Sequence, residues 1–394
     1  MSLNSDLQTL KTNIEGVKST LYTNLTNKGV TSITESDTLS TLANKVSTIT
    51  TGGGSGVSGF DFSPIGYSNE FSTELNDKTN ADIAYSKTLY DSWNPSNANA
   101  YGLYSGDTKL IYAPNIDTSN VYNMLGMFKN CTILTTVPLY NTIKVRTMEE
   151  MFENCTSLKS VPLFNTSIVE YMGGMFYNCS NLKTVPLFDT SKVTGMTSMF
   201  QGCSGLTSVP LFNTITVTAM TNMFDNCSSL TSVPAFNTSQ VISMEHMFNG
   251  CSSLTSVPAF DTSKVKNFRF MFGDCVNLTT IEGISFKSFI DSTMNKYYLF
   301  GYGINDSIRK AVFKDIGYQS NAVQFNTETI SNWGVNTSEI PDARQSLIDS
   351  LITYSFDRSA AGYPTCTIKL SSTTKALLTS DEISQITAKG FTIA

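Results

Sequence analysis

One histidine, His246, stands in 394 residues, so neither a Ser/His/Asp triad nor a histidine-bearing metal cluster can be assembled. Charge is scarce too, at 15% of residues with a net −6. Nucleic acids and anionic membranes select a basic face, and this composition does not offer one. No apolar run approaches the roughly 20 residues of a membrane span, so membrane insertion is not expected. The only glycine-rich stretch, TGGGSGVSG at 51–59, is not followed by Lys-Ser/Thr and opens no helix; it reads as a flexible linker, not a phosphate cradle. The start, MSLNSDLQTL, has neither a basic nor an apolar signal-like region, and the expectation is synthesis in the cytoplasm.

What the sequence does have is a period. Cys131, Cys155, Cys179, Cys203, Cys227, Cys251 and Cys275 are spaced by 24 residues, each three residues behind a phenylalanine (Phe128 to Phe272) and three ahead of a leucine (Leu134 to Leu278). A fixed period of this size means a solenoid. Val145, Met148, Phe152 and Cys155, spaced 3, 4, 3, read as one face of a short helix. Leu158, Val161 and Leu163 follow the L-x-x-L-x-L pattern of a repeat strand, and an Asn/Asp-Thr-Ser turn joins the two. The predicted fold class is therefore an α/β solenoid of 24-residue units, each a short strand plus a short helix, with strands paired in parallel. Leu110, Ala113, Pro114, Asp117, Thr118 and Val121 form a degenerate first unit. The prolines, Pro114 to Pro258, are placed at the strand's entry, where a missing N–H matters least.

An odd number of equivalent thiols in a parallel ladder point the same way, so the column reads as buried free cysteine, not disulfides or a soft-metal site. The aromatic column Tyr140, Phe164, Phe188, Phe212, Phe236 and Phe260 has two readings. Strict alternation after an inward Leu139 would turn it outward, as a platform for sugars or peptides. A strand ending there would instead fold the ring into the core. Lys159 and Lys183 beside the strands, with Lys144, Lys192 and Lys264 at the turns, are the other candidate ligand-facing residues, or else solvated charges. Carboxylates do not recur in pairs; Asp117, Asp189 and Asp261 share their position with asparagines, which marks a turn former. No catalytic residue, metal or cofactor is expected.

The ends differ from the middle. Leu3, Leu7, Leu10, Ile14, Val17 and Leu21 make an a/d seam that predicts a homo-oligomeric stalk, dimer or trimer. Residues 1–50 form this attachment segment and 51–59 the linker. The span 60–106 reads as an N-terminal cap, 107–282 as the solenoid, and 283–394 as a divergent C-terminal cap. In that last part Leu347, Ile348, Leu351 and Ile352 share a helix, TCTIKL is a strand, and Thr379 to Glu382 forms a capping box.

The units F-[ND]-T-S-x-V-x-x-M-x-x-M-F-x-x-C-x-x-L-x-x-V-P over residues 111–281 resemble BspA-like leucine-rich repeats. That resemblance implies adhesion or binding without catalysis, in bacterial surface proteins or phage tail and fibre proteins. The start, with Lys28, Gly29, Val30, Leu39, Leu42, Ala43, Lys45, Val46 and Ile49, resembles a segment of phage structural proteins. The expectation is a virion fibre or appendage, in contact with other virion proteins, that presents the solenoid to a bacterial surface receptor or glycan. A bacterial cell-surface adhesin is the alternative. A tail-associated glycan depolymerase is a third reading, with room for a site only in 283–365.

Overall fold

The computed structural model describes residues 80–287, 293–294, 299–300, 307–316, 318, 324–327 and 330–394. The seam Leu3 to Leu21, the linker 51–59 and residues 60–79 lie outside the described residues. The chain divides into two units, Met1–Ile83 and Ala84–Ala394, and the repeats belong to the second.

Residues a repeat apart lie side by side. Parallel bridges link Asn123, Thr147, Tyr171, Gly195, Ala219, Ser243 and Asn267 in succession. The stack begins earlier than residue 107: Asn99 bridges Asn123, and the Tyr104 ring stacks on Phe128 at 5.4 Å. Ahead of it, helix α1 (Asn80–Ser92) closes the first coil. Tyr85, Leu89 and Trp93 pack on the core, and Trp93 Nε1 donates to Asp117 O at 2.7 Å. Tyr90, on the same helix, is exposed.

The predicted helix of each unit is not formed. In the coil from Val145 to Leu158, the N–H groups of Met148, Glu150, Phe152 and Asn154 donate to Tyr171, Gly173, Met175 and Tyr177 of the next coil, at 2.7–3.0 Å. The N–H groups of Met151, Glu153 and Cys155 close turns onto carbonyls three residues back. Alternate amides thus serve the neighbour and the local turn, where an α-helix would direct every one along its own axis. Left-handed residues four apart impose this path: Gly126 and Asn130, Glu150 and Asn154, Gly174 and Asn178, and so on to Phe270 and Asp274. A left-handed residue every fourth position is incompatible with a right-handed helix. The buried positions agree, since Val145, Met148 and Met151, then Phe152, Cys155, Leu158 and Val161, run at a period of three. Reading 3, 4, 3 required skipping Met151.

The predicted strand is also much reduced. Among the repeats only β1 (Ser256–Val257) is regular. One amide per coil carries its lateral bonding, such as Lys159 N to Thr135 O at 3.1 Å and Thr231 N to Thr207 O at 3.3 Å. Three residues on stands a proline, which has no N–H to donate. The residue after it is then turned by an i→i+2 bond, Phe188 N to Pro186 O at 3.0 Å, with the same bond at Phe212 and Phe236. This γ-turn breaks the alternation. It throws Leu187 and Leu211 out and brings Phe188 and Phe212 in, and Leu163 and Phe164 face the same ways. Of the two readings of the aromatic column the buried one holds, and the Leu139 column expected inward faces out instead.

The core is a set of columns. Phe128, Phe152, Phe176, Phe200, Phe224, Phe248 and Phe272 stack at 5.6–5.8 Å with planes 3–8° apart. The second aromatic column, Tyr140 to Phe260, packs beside them. Polar groups join the coils in the same periodic way. The buried hydroxyls of Thr118, Thr142, Thr190, Thr214, Thr238 and Thr262 donate to the next coil's carbonyl, Thr190 to Asn213 O at 2.8 Å. The Asn/Asp ahead of each is the turn former expected, Asp189 Oδ1 accepting from Ser191 N at 3.0 Å.

The C-terminal part continues the winding with longer coils. Strands β1, β2 (Thr280–Ser285) and β4 (Lys310–Lys314) form one parallel sheet. Strands β3 (Thr293–Met294), β5 (Gln324–Asn326), β6 (Cys366–Lys369) and β7 (Phe391–Ile393) form a second. Helix α2 (Ala343–Ile348) and its π-helical continuation Asp349–Thr353 cover the edge at β4. There Ser350 Oγ accepts from Phe313 N at 2.9 Å and Ser346 Oγ from Ala311 N at 3.3 Å, so an open strand edge is satisfied by two serines four apart. Leu347 and Leu351 are buried on that segment, as expected. After the short α3 (Ser372–Lys375), the predicted capping box, Thr379 with Glu382, opens α4 (Ser380–Ala388).

Gly202 tests the turn path. Its φ is +75°, and an added Cβ would stand 2.0 Å from Asn178 Oδ1 of the preceding coil. Gly202→Ala is expected to cost about 2 kcal/mol or more in chemical denaturation. Thr216→Ala, in the less crowded turn, is expected to cost less than half of that.

Candidate binding surface

The cysteine column is settled by its bonds. Each thiol donates to the carbonyl of the preceding coil's aromatic residue: Cys155 Sγ to Phe128 O, Cys179 to Phe152 O and Cys203 to Phe176 O, all at 3.0 Å. Phe128 O also accepts from Cys131 N at 3.0 Å, so the thiol takes its second lone pair. All eight cysteines are free and buried. Burial pushes the thiols up, Cys131 and Cys275 to about 12, because a thiolate would lose its hydration and the thiol proton is the donor. Among the described residues, no group of three or more His, Cys, Asp or Glu is placed to hold a metal ion.

Of the residues expected to face a ligand, the aromatics do not. Tyr140, Phe164, Phe188, Phe212, Phe236 and Phe260 are buried, with the Tyr140 hydroxyl donating to Pro114 O at 2.9 Å. The five lysines are all exposed. Lys144 Nζ donates to Asn120 Oδ1 at 3.0 Å and Lys264 Nζ to Gln240 Oε1 at 2.8 Å, each reaching back one coil. Lys159 and Lys183 stand in the hydroxyl-rich rows that run along the former strand position: Thr135, Lys159, Lys183, Thr207, Thr231 and Thr255, beside Thr136, Ser160, Thr184, Ser208, Ser232 and Ser256. Row members a coil apart are about 4.8 Å from each other, the spacing of paired strands.

The turn segment presents charge. Lys129 Nζ lies between Glu150 at 2.8 Å and Glu153 at 2.9 Å, and Arg146 pairs with Glu170 at 2.6 Å on the next coil. His246 is half-buried at φ +54°, its ring edge-on to Phe270 at 5.1 Å.

A third feature was missed. Leu139, Leu163, Leu187 and Leu211 are 63%, 60%, 59% and 59% exposed and form a continuous apolar ridge. The sequence did carry a signal for it: a proline stands immediately before each leucine, and at Leu187 and Leu211 the chain makes the γ-turn that turns the side chain out.

Residues 103–209 and 206–297 match a family model described as Mycoplasma protein of unknown function, DUF285. The match spans just under half of the chain. Among solved structures, the chain is similar to a leucine-rich repeat protein from Bacteroides ovatus ATCC 8483, with 16% identity over 69% of this chain and 76% of that one and a TM-score of 0.27. It is also similar to a chain of the TLR13–ssRNA13 complex, with 13% identity over 66% of this chain and 36% of that one and a TM-score of 0.27. A search of curated proteins finds no match. At these TM-scores the solenoid rests on the chain's own coil-to-coil bonds.

The thiol column makes stability pH-dependent. Its folded pKa values are raised, so an unfolded chain loses protons near the ordinary thiol value of 9.0 while the folded chain keeps them. Stability is full below that pH and falls as pH rises above it, by about 1.4 kcal/mol per pH unit for each thiol exposed on unfolding. Denaturation at pH 8 and pH 10 reads this directly. A thiol reagent at pH 8 is expected to label no cysteine in the folded chain and all eight in denaturant.

Proposed function

We propose that the chain is a binding protein and not an enzyme: a rod that engages a bacterial surface receptor or glycan through many weak, identical contacts. The observation that carries this is the register. Side chains of one kind repeat along rows at the coil spacing, held there by main-chain bonds, so a polymeric ligand meets the same chemistry at each step. Repetition then adds affinity through effective concentration, without a deep pocket. The exposed hydroxyl rows with Lys159 and Lys183 are the face suited to a hydrated, anionic or neutral glycan. Oligomerisation through Leu3, Leu7, Leu10, Ile14, Val17 and Leu21 would multiply the contacts again.

Display on a bacterial cell surface is compatible with the match to a family described from Mycoplasma, a description that names no location. A second reading, a phage fibre or appendage, is supported by the resemblance of the first 50 residues to phage structural proteins. Mass spectrometry of purified virions and of washed cells separates them, since the peptide SVPLFNTSIVEYMGGMF would be recovered in stoichiometric amount from one and not the other.

The binding reading is tested with the full chain against purified surface polysaccharide. Lys159→Ala/Lys183→Ala is expected to weaken binding about tenfold at low salt and less at high salt, with folding unchanged. Binding unaffected by the pair would move the contact to another face. Shortening of the polysaccharide on incubation would sink the non-enzymatic reading.

A further inference from the structure

We infer that the leucine ridge is a self-association face, on which a second copy of this chain packs antiparallel about a two-fold axis passing between Leu163 and Leu187. Three observations lead there. First, the ridge is bounded. Its four leucines are preceded in the same row by Asn115 and followed by the small Ala235 and Ala259.

Second, the face is palindromic in its chemistry. At the tip of the neighbouring turn the row reads Ile143, Ser167, Ser191, Ile215, and the two isoleucines are 56% and 53% exposed, while the flanking coils carry Ser119 and Ser239. A two-fold axis at the ridge centre exchanges Leu139 with Leu211 and Leu163 with Leu187. It also exchanges Ile143 with Ile215, and sets Asn165 opposite the Asp189 carboxylate, which can accept from its amide. Each apolar group of these two rows therefore meets an apolar one, and Asp189, the single charge in the row Asn141, Asn165, Asp189 and Asn213 between them, meets a donor, which is the requirement of an isologous contact. Lys159 and Lys183 would also be exchanged. They lie four residues from the ridge, where long side chains can turn to solvent.

Third, the pitch selects the partner. The leucines repeat at about 4.8 Å, whereas one face of an extended strand repeats at about 6.8 Å and successive turns of a helix at about 5.4 Å. Either would lose register within a few residues. A second ridge has the same pitch and keeps its register, leucine against leucine, along its whole length. The four leucines and two isoleucines leave on the order of 600 Å² of apolar surface, at the upper end of the largest patch on a typical monomer and most of the roughly 800 Å² per partner of a standard interface.

The full chain carrying Leu139→Cys/Leu211→Cys tests this, because the native thiols are buried and do not compete. Under mild oxidation with diamide, a covalent dimer is expected in which the 139 peptide is joined to the 211 peptide. Its yield should be about tenfold above that of a Thr194→Cys/Lys266→Cys chain, whose sites are also three coils apart and lie on another face. The two ridge positions are three coils apart, too far for a bridge within one chain. Links of 139 to 139 and 211 to 211 would overturn the antiparallel arrangement, and a yield equal to the control would overturn the interface. Sedimentation gives a second reading: Leu163→Asp/Leu187→Asp should halve the mass reached at high protein concentration, and an unchanged mass would remove the ridge from the assembly.

Discussion

Everything in the solenoid depends on main-chain hydrogen bonds made between coils by alternate amides of the turn segment. Four such donors per coil, those of Met148, Glu150, Phe152 and Asn154 in one example, reach carbonyls of the next. At about 1 kcal/mol net each, they supply on the order of 4 kcal/mol per interface, comparable to fully burying one or two large apolar side chains. Their larger effect is on register. Once these amides are paired, the phenylalanine rings must stack, the thiols must meet the preceding coil's carbonyls, and the surface rows must align. Slipping one coil by a single residue would break all three at once.

This arrangement explains a composition that otherwise looks chemical. The cysteine is a small apolar residue with a weak donor, and it sits where a backbone carbonyl has one lone pair left over. Threonine does the same on the opposite side of the coil with a stronger donor. The buried polar groups are thus part of the stacking, each tied to the neighbouring coil. The one exception in the threonine column, Thr166, is buried without a hydrogen-bond partner. The surface left over is of three kinds, charged along the turn segment, hydroxyl-rich along the reduced strand and apolar along the ridge. That division suits a protein that joins to copies of itself on one face and to something else on another.

The period, the coil count in its regular part and the burial of the cysteine, methionine and phenylalanine columns were legible in the sequence, because each is a repetition that any stacked structure must bury. So were the Asx turns and the capping box at Thr379, which are local. The short helix was misread, although the residues that forbid it were present. An Asn, Gly or Asp stands immediately before each cysteine from Asn130 to Asp274, and these residue types tolerate the left-handed backbone. At the second left-handed position Gly126, Gly174 and Asn222 carry the same signal, whereas Glu150, Ser198, His246 and Phe270 do not, because there the stack overrides local preference.

Sequence by itself determined that this chain is a stack of 24-residue coils, since only neighbours of identical pattern can bury such columns. Tertiary structure alone decided which way the leucine and the aromatic residue face. Both are apolar and adjacent, and either could be inward. Proline withdraws a donor at that point, the chain bends, through a γ-turn at Phe188, Phe212 and Phe236, and the larger ring takes the space beside the phenylalanine stack. The leucine is left outside, and the protein acquires its apolar ridge.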